Sequence, residues 1–213
     1  MNPSIFKAGR KYTFRDYFKF KAPTEEIVAA LGYSLSLEVL KLPLSQNFNR
    51  DSFDRLQTTY YEILPRITLN SEMAKRDFMI APLLVEVVRQ TEAKLNVEYP
   101  IEVSDQLRGE LDYLLRSGQE LIVIEAKQGD LDRGFNPLAA ELIALDQYEK
   151  AKVSGILYGA VTIGEAWRFG ILKREAKSII KDLHTYGIPT DTEKIFSTLL
   201  GILQQPANLQ VEM

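Results

Sequence analysis

The hydrophobic period of the chain changes near residue 95, and that change restricts the fold more than any other feature. The stretch "LNSEMAKRDFMIAPLLVEVVRQTEAKL" predicts a long helix, capped by Asn70 or Ser71 and kinked or split by Pro82. "NVEYPIEV" then alternates, with Val97, Tyr99, Ile101 and Val103 in step. "GELDYLLR" and "ELIVIEAK" predict two more strands, joined around Ser117-Gly118. "NPLAAELIALDQYEKA" returns to a helix, with Asn136 as N-cap and Pro137 at the first position. "GILYGAVTI" and "AWRFGIL" predict strands joined by Gly164-Glu165, and a last helix starts at Thr190 or Asp191. Helix, three strands, helix, strand, strand is the order of an α/β layer structure with a mixed sheet flanked by helices.

Residues 1–70 read as a mostly helical N-terminal extension on the same body, and 71–213 as the core with a C-terminal helix. "PTEEIVAALG" predicts a helix with Thr24 as N-cap and Gly32 at its end, and Asp51 to about Leu64 another, stopped by Pro65. "YSLSLEVLKLP" predicts a strand with Leu35, Leu37 and Val39 on one side. No linker-like or repeated segment separates these parts.

Hydrophobic residues make up 46% of the 213 and charged residues 26%, the balance of an ordinary globular chain. No apolar run reaches the roughly 20 residues of a membrane span, and the first residues show no secretory pattern. The expectation is a cytoplasmic protein without membrane contact. With no cysteine, disulfides and thiolate metal sites are excluded. There is no phosphate-cradling glycine loop of the nucleotide-hydrolase type. The formal charge of −3 argues against a large nucleic-acid footprint but permits a local basic patch. Lys7, Arg10, Lys11, Arg15, Lys19 and Lys21 interleave with Tyr12, Phe14, Tyr17, Phe18 and Phe20. Two readings follow: a surface that grips backbone and stacks bases, with Lys19 and Lys21 as substrate contacts, or an amphipathic segment whose aromatics join the core. His184, Trp167 and "KREAKSIIKD" read as surface or packing residues; the last is a solvated face.

The stretch "GELDYLLRSGQELIVIEAK" places charges inside strands. With a two-residue turn at Ser117-Gly118, Arg116 faces Gln119, Asp112 faces Val123 and Glu110 faces Glu125. Period-2 alternation then puts Glu110, Asp112, Glu125 and Lys127 on one face. Asp112 and Glu125 become diagonal neighbours about 7–8 Å apart at Cα, able to share one hard cation such as Mg²⁺. Lys127 on that face can position water and offset developing charge. The other reading is a solvated sheet face with a cross-strand lysine–acid pair.

Asp112, a turn and Ile124-Glu125-Ala126-Lys127, within helix–three strands–helix–strand, resemble the PD-(D/E)XK nuclease superfamily, the restriction-endonuclease-like fold. The resemblance covers about Met79 to Leu172. It implies an αβββαβ core, metal-ligating Asp112 and Glu125, a third ligand in the Ala126 carbonyl, and a catalytic Lys127. Glu86 matches the acid on the preceding helix. Glu141, the lone charge in "LAAELIAL", is expected half-buried near the metal, with a helix-edge acid as the plainer reading. Gln147 matches a substrate-contacting glutamine, although the tyrosine that accompanies it four residues later is replaced by Ala151. The implied activity is Mg²⁺-dependent hydrolysis of phosphodiesters in DNA, with Mn²⁺ as substitute, RNA kept open and a homodimer compatible. The alternative is a non-catalytic nucleic-acid-binding or assembly protein that retains the fold.

Overall fold

The computed structural model describes residues 5–117, 120–125, 130–148 and 155–205, with the backbone alone for 120–125. A mixed sheet forms the centre. Its strands are β1 (Ser34–Glu38), β2 (Lys94–Glu102), β3 (Arg108–Arg116), β4 (Glu120–Glu125), β5 (Ile156–Thr162), β6 (Ala166–Lys173), β7 (Ser178–Asp182) and the short β8 (Tyr186–Gly187). They lie in the order β1-β7-β6-β5-β4-β3-β2, with β8 added beside β6. β1 with β7 and β4 with β5 are parallel; the other pairs are antiparallel. No helix among the described residues is long and apolar enough to cross a membrane.

Helices cover both faces. On one lie α1 (Phe14–Tyr17), α2 (Thr24–Ala30) and α6 (Leu131–Tyr148), sharing a core with Leu157 and Val161 of β5. On the other lie α3 (Arg50–Ile63), α5 (Ala81–Arg89) and α7 (Thr192–Leu203), sharing a core with Tyr158 and Ala160. The alternation along β5 is the period-2 rule at work: successive side chains enter opposite layers.

Several expectations are corrected. The strand predicted in the first 70 residues is β1, and its pairing with β7 makes it part of the central sheet. As an edge strand it leaves Leu37 and Val39 exposed, so its alternation marked a strand but not a buried side. "KREAKSIIKD" is not a solvated face: its second half is β7, with Ile179 and Ile180 buried. Asn136 and Pro137 do not start α6. That helix begins at Leu131, where the Asp130 carboxylate accepts from the Arg133 N–H at 3.0 Å. Buried Asn136 instead accepts from the Thr24 hydroxyl at 2.5 Å, which fastens α2 to α6. Thr24 is the first residue of its helix rather than its cap.

The split at Pro82 came as predicted. Ser71 caps α4 (Glu72–Lys75), accepting from the Ala74 N–H at 3.0 Å. A π-helical turn, Arg76–Ile80, then leads into α5, where Pro82 falls in the first turn and its missing N–H costs nothing.

The seat of α6 depends on two glycines. Gly159 of β5 and Gly170 of β6 are direct cross-strand partners. A Cβ on Gly159 would sit 2.6 Å from Leu138 Cδ1, and one on Gly170 would sit 2.7 Å from Phe135 Cζ and 3.3 Å from the Ile180 carbonyl. Gly170→Ala is therefore expected to lower stability by about 1–3 kcal/mol, as overpacking of a full core does. Urea denaturation of the variant beside the unsubstituted chain checks it; an unchanged midpoint would mean that α6 shifts freely.

Candidate active site

β2 and β3 change faces halfway along. Their ladder pairs Val97 with Tyr113 and Tyr99 with Leu111, and skips Glu98 and Asp112 between them. Glu98 has φ +53°, a left-handed conformation uncommon outside glycine. Across this point Tyr113 and Leu115 pack in the α5 layer, while Leu111 packs in the α6 layer. Asp112 stands where the strand turns over, with its carboxylate toward α6. At the start of β3, Gly109 has φ +140°, and a Cβ there would lie 3.0 Å from the ring of Phe14. Only glycine lets α1 approach so closely.

An open cleft of about 570 Å³ forms here between α1, α4, the π turn, β3 and α6. Asp112, Glu141, Glu110, Asp77, Glu72, Arg76 and Arg15 are the charged groups that line it. Glu141 is 3% exposed, and its Oε2 has no hydrogen-bond partner among the described residues. Burial pushes its carboxyl well above the usual carboxylate range, and the Asp112 charge pushes it further. A desolvated carboxylate beside a second acid gains from a proton or from a cation. Arg15 lies 3.6 Å from Glu110, and Arg76 lies 3.6 Å from Glu98 and over the Tyr113 ring at 5.5 Å. The acids and arginines give the cleft both signs of charge. Every acidic donor is a carboxylate oxygen, the type that suits Mg²⁺ or Mn²⁺ rather than a soft metal.

The β3–β4 register corrects the hairpin. Arg116 pairs with Glu120, Leu114 with Ile122 and Tyr113 with Val123. Three residues rather than two thus separate the paired Arg116 and Glu120, so every expected pair moves by one. A one-residue change reverses parity, and the argument that set Asp112 and Glu125 on one face does not hold. The backbone of Glu125 ends β4, aligned with Thr162 of β5. The Glu125 side chain, Ala126 and Lys127 lie outside the described residues.

Of the other expected residues, Glu141 shares the cleft with Asp112 and is deeper than the half-burial expected. Glu86 is elsewhere. It is buried between α5 and α3, accepting from the Ser52 hydroxyl and from Gln90 Nε2 at 2.6 Å, with Arg89 at 3.5 Å. Burial raises its carboxyl, but these hydrogen bonds and the Arg89 charge outweigh that and hold it below the ordinary value. Gln147 is exposed in the last turn of α6, beside Tyr33 rather than the cleft. Lys19 is exposed and 3.8 Å from Asp16; Lys21 is exposed. Tyr12, Phe14, Tyr17 and Phe18 are buried, so they are core residues and not a stacking platform. From that segment the fold brings Arg15 to the cleft, and from the helix before the strands it brings Arg76 and Asp77. Arg15 belonged to the basic cluster the sequence singled out, whereas Arg76 and Asp77 carried no signal, because the π turn that holds them lies outside any regular helical period.

No known family model matches the chain, and no curated protein sequence matches it significantly.

The raised Glu141 carboxyl sets a pH dependence. The folded state binds this proton more tightly than the unfolded state, so its favourable contribution is complete below the ordinary glutamate pKa. It is lost as pH rises toward the folded value. In EDTA, stability relative to Glu141→Gln is expected to decline steadily as pH rises from about 4.3. Denaturation at a series of pH values measures this; parallel profiles would show that Glu141 is not desolvated.

Proposed function

We propose that the chain is a metal-dependent nuclease of the restriction-endonuclease-like type, acting on phosphodiester bonds in DNA. One observation carries this reading: the buried Glu141 oxygen, without a hydrogen-bond partner among the described residues, shares with Asp112 an open cleft whose walls also carry arginines. The element order α5-β2-β3-β4-α6-β5 supports it, as does the Glu125-Ala126-Lys127 sequence at the end of β4. β4 lies against β3 with Val123 opposite Tyr113, so Glu125 ends the strand two residues after the partner of Asp112's neighbour.

In this reading Asp112 and Glu141 hold one divalent cation, with Glu125 and the Ala126 carbonyl completing the oxygen set. Such a cation supplies Lewis-acid polarisation of a phosphoryl oxygen and acidifies water. Arg15 and Arg76 orient the anionic backbone along the cleft. Lys127 offsets charge that develops in the transition state. The shifted hairpin register favours a second reading, a nucleic-acid-binding or assembly protein that keeps the fold, because it removes the one-face arrangement of Asp112 and Glu125.

Calorimetry and cleavage separate the two. Mn²⁺ is expected to bind the unsubstituted protein and to bind Asp112→Asn or Glu141→Gln far more weakly. Mg²⁺- or Mn²⁺-dependent cutting of single-stranded, duplex or branched DNA is expected, absent in EDTA. Lys127→Ala should still bind metal and DNA but cut roughly 10²–10³-fold more slowly. Metal affinity unchanged in both carboxylate variants, with no cutting of any DNA or RNA substrate, would leave the binding or assembly reading.

A further inference from the structure

Away from the cleft, on the opposite flank of α6, two cations meet on a single oxygen. Lys181 Nζ lies 2.5 Å from Asp132 Oδ1, and Arg168 Nη1 lies 2.6 Å from the same atom. The set is one positive charge in excess. The exposures are unequal in a telling way: the Lys181 side chain is 10% exposed and Arg168 18%, whereas Asp132 is 74% exposed. The anion is therefore the outermost and most easily displaced member, and the cations form the floor.

That floor is held without Asp132. Arg168 donates from Nε and Nη2 to the Thr185 hydroxyl at 3.2 and 2.8 Å. Lys181 Nζ stands 5.2 Å above the Phe135 ring, and its backbone is fixed opposite Gly170 in the β6–β7 ladder. If Asp132 swings outward, Lys181 Nζ and Arg168 Nη1 remain aimed at the point its Oδ1 held. A phosphate oxygen can accept from both cations there, as the Asp132 carboxylate does. Asp132 also lies in the first turn of the 18-residue α6, where backbone N–H groups favour negative charge.

We propose that Arg168 and Lys181 bind a backbone phosphate of a nucleic-acid strand, with Thr185 holding the Arg168 guanidinium in place, and that Asp132 occupies this site in the free protein. The ligand's identity rests on the nuclease reading; the site's affinity for an anion rests on these side chains. Asp132 would then set affinity by competition, admitting a chain anchored elsewhere but not a lone weak anion.

The test is the affinity of a fluorescent single-stranded DNA 16-mer, measured in EDTA across a salt series for the whole chain. Asp132→Asn is expected to bind several-fold more tightly, because an exposed competitor has been neutralised. Lys181→Gln is expected to bind more weakly, with a salt slope shallower by about 0.7, the share of one phosphate on a single strand. Thermal melts of both variants establish that each is folded, and Lys181→Gln keeps the idea testable if Asp132→Asn does not fold. Pyrophosphate as competitor separates the ligand sources: weak displacement is expected, whereas tight pyrophosphate binding with unchanged DNA affinity in both variants would overturn the proposal. So would Asp132→Asn that binds DNA no better than the unsubstituted chain. Metal-dependent cutting of the same 16-mer is scored separately. Altered binding without cutting retains this site and removes the nuclease reading, and cutting with unaltered binding does the reverse.

Discussion

The close approach of α6 to the sheet is the constraint on which both sites depend. A helix normally stands about 10 Å from a sheet because side chains fill the gap. Here Gly159 and Gly170, paired across β5 and β6, leave a trough that Leu138 and Phe135 fill. With that face of α6 pressed down, the helix has no freedom to roll. Glu141 is fixed toward Asp112 on one flank, and Asp132 toward Arg168 and Lys181 on the other. A helix that rode higher would wet Glu141 and abolish the desolvation that raises its carboxyl.

The far end of α6 is locked differently. Asp146 and Arg174 form a buried ion pair at 3.0 Å, and the Tyr33 hydroxyl donates to the same carboxylate at 2.7 Å. Burial, then the hydrogen bond to Asp146, pushes the Tyr33 phenol up to about 12. A buried pair of this kind adds little net stability, because desolvation offsets the attraction. What it supplies is uniqueness: the helix end, the residue before β1 and the β6–β7 connection meet in one arrangement.

The turn-over at Glu98 and Asp112 is the third element of the design. A regular β2–β3 pair would commit Asp112 either to the interior or to solvent. The left-handed residue on β2 and the skipped pair let Leu111 and Tyr113 enter opposite layers, with Asp112 at the hinge between them. Backbone strain of this kind costs on the order of 1–3 kcal/mol and persists only where the surroundings enforce it.

The sequence by itself determined the order of elements from α2 to β6 and the α/β layering, but not β7 and β8. These follow from local period: 3.6 in the segment before residue 90 and around 138–148, and 2 in the strands. It also singled out Asp112 and Glu141, since an acid inside a strand and a lone acid in an apolar helix face are visible as breaks in pattern. It misplaced the start of α6, because Asn136-Pro137 satisfies a local capping rule that the contact of Asn136 with Thr24 overrides. It missed the hairpin register by one residue, because turn length is set by how β3 and β4 pair, and flanking residues such as Ser117-Gly118 are compatible with either count. Only the tertiary structure decided which charges meet. Glu86 went to Ser52 and Gln90, Arg15 and Arg76 went to the cleft, and Asp132 joined two cations more than thirty residues away. Local pattern encodes which face a residue occupies; which residues share a site depends on chain crossings, and those are fixed by packing between distant segments.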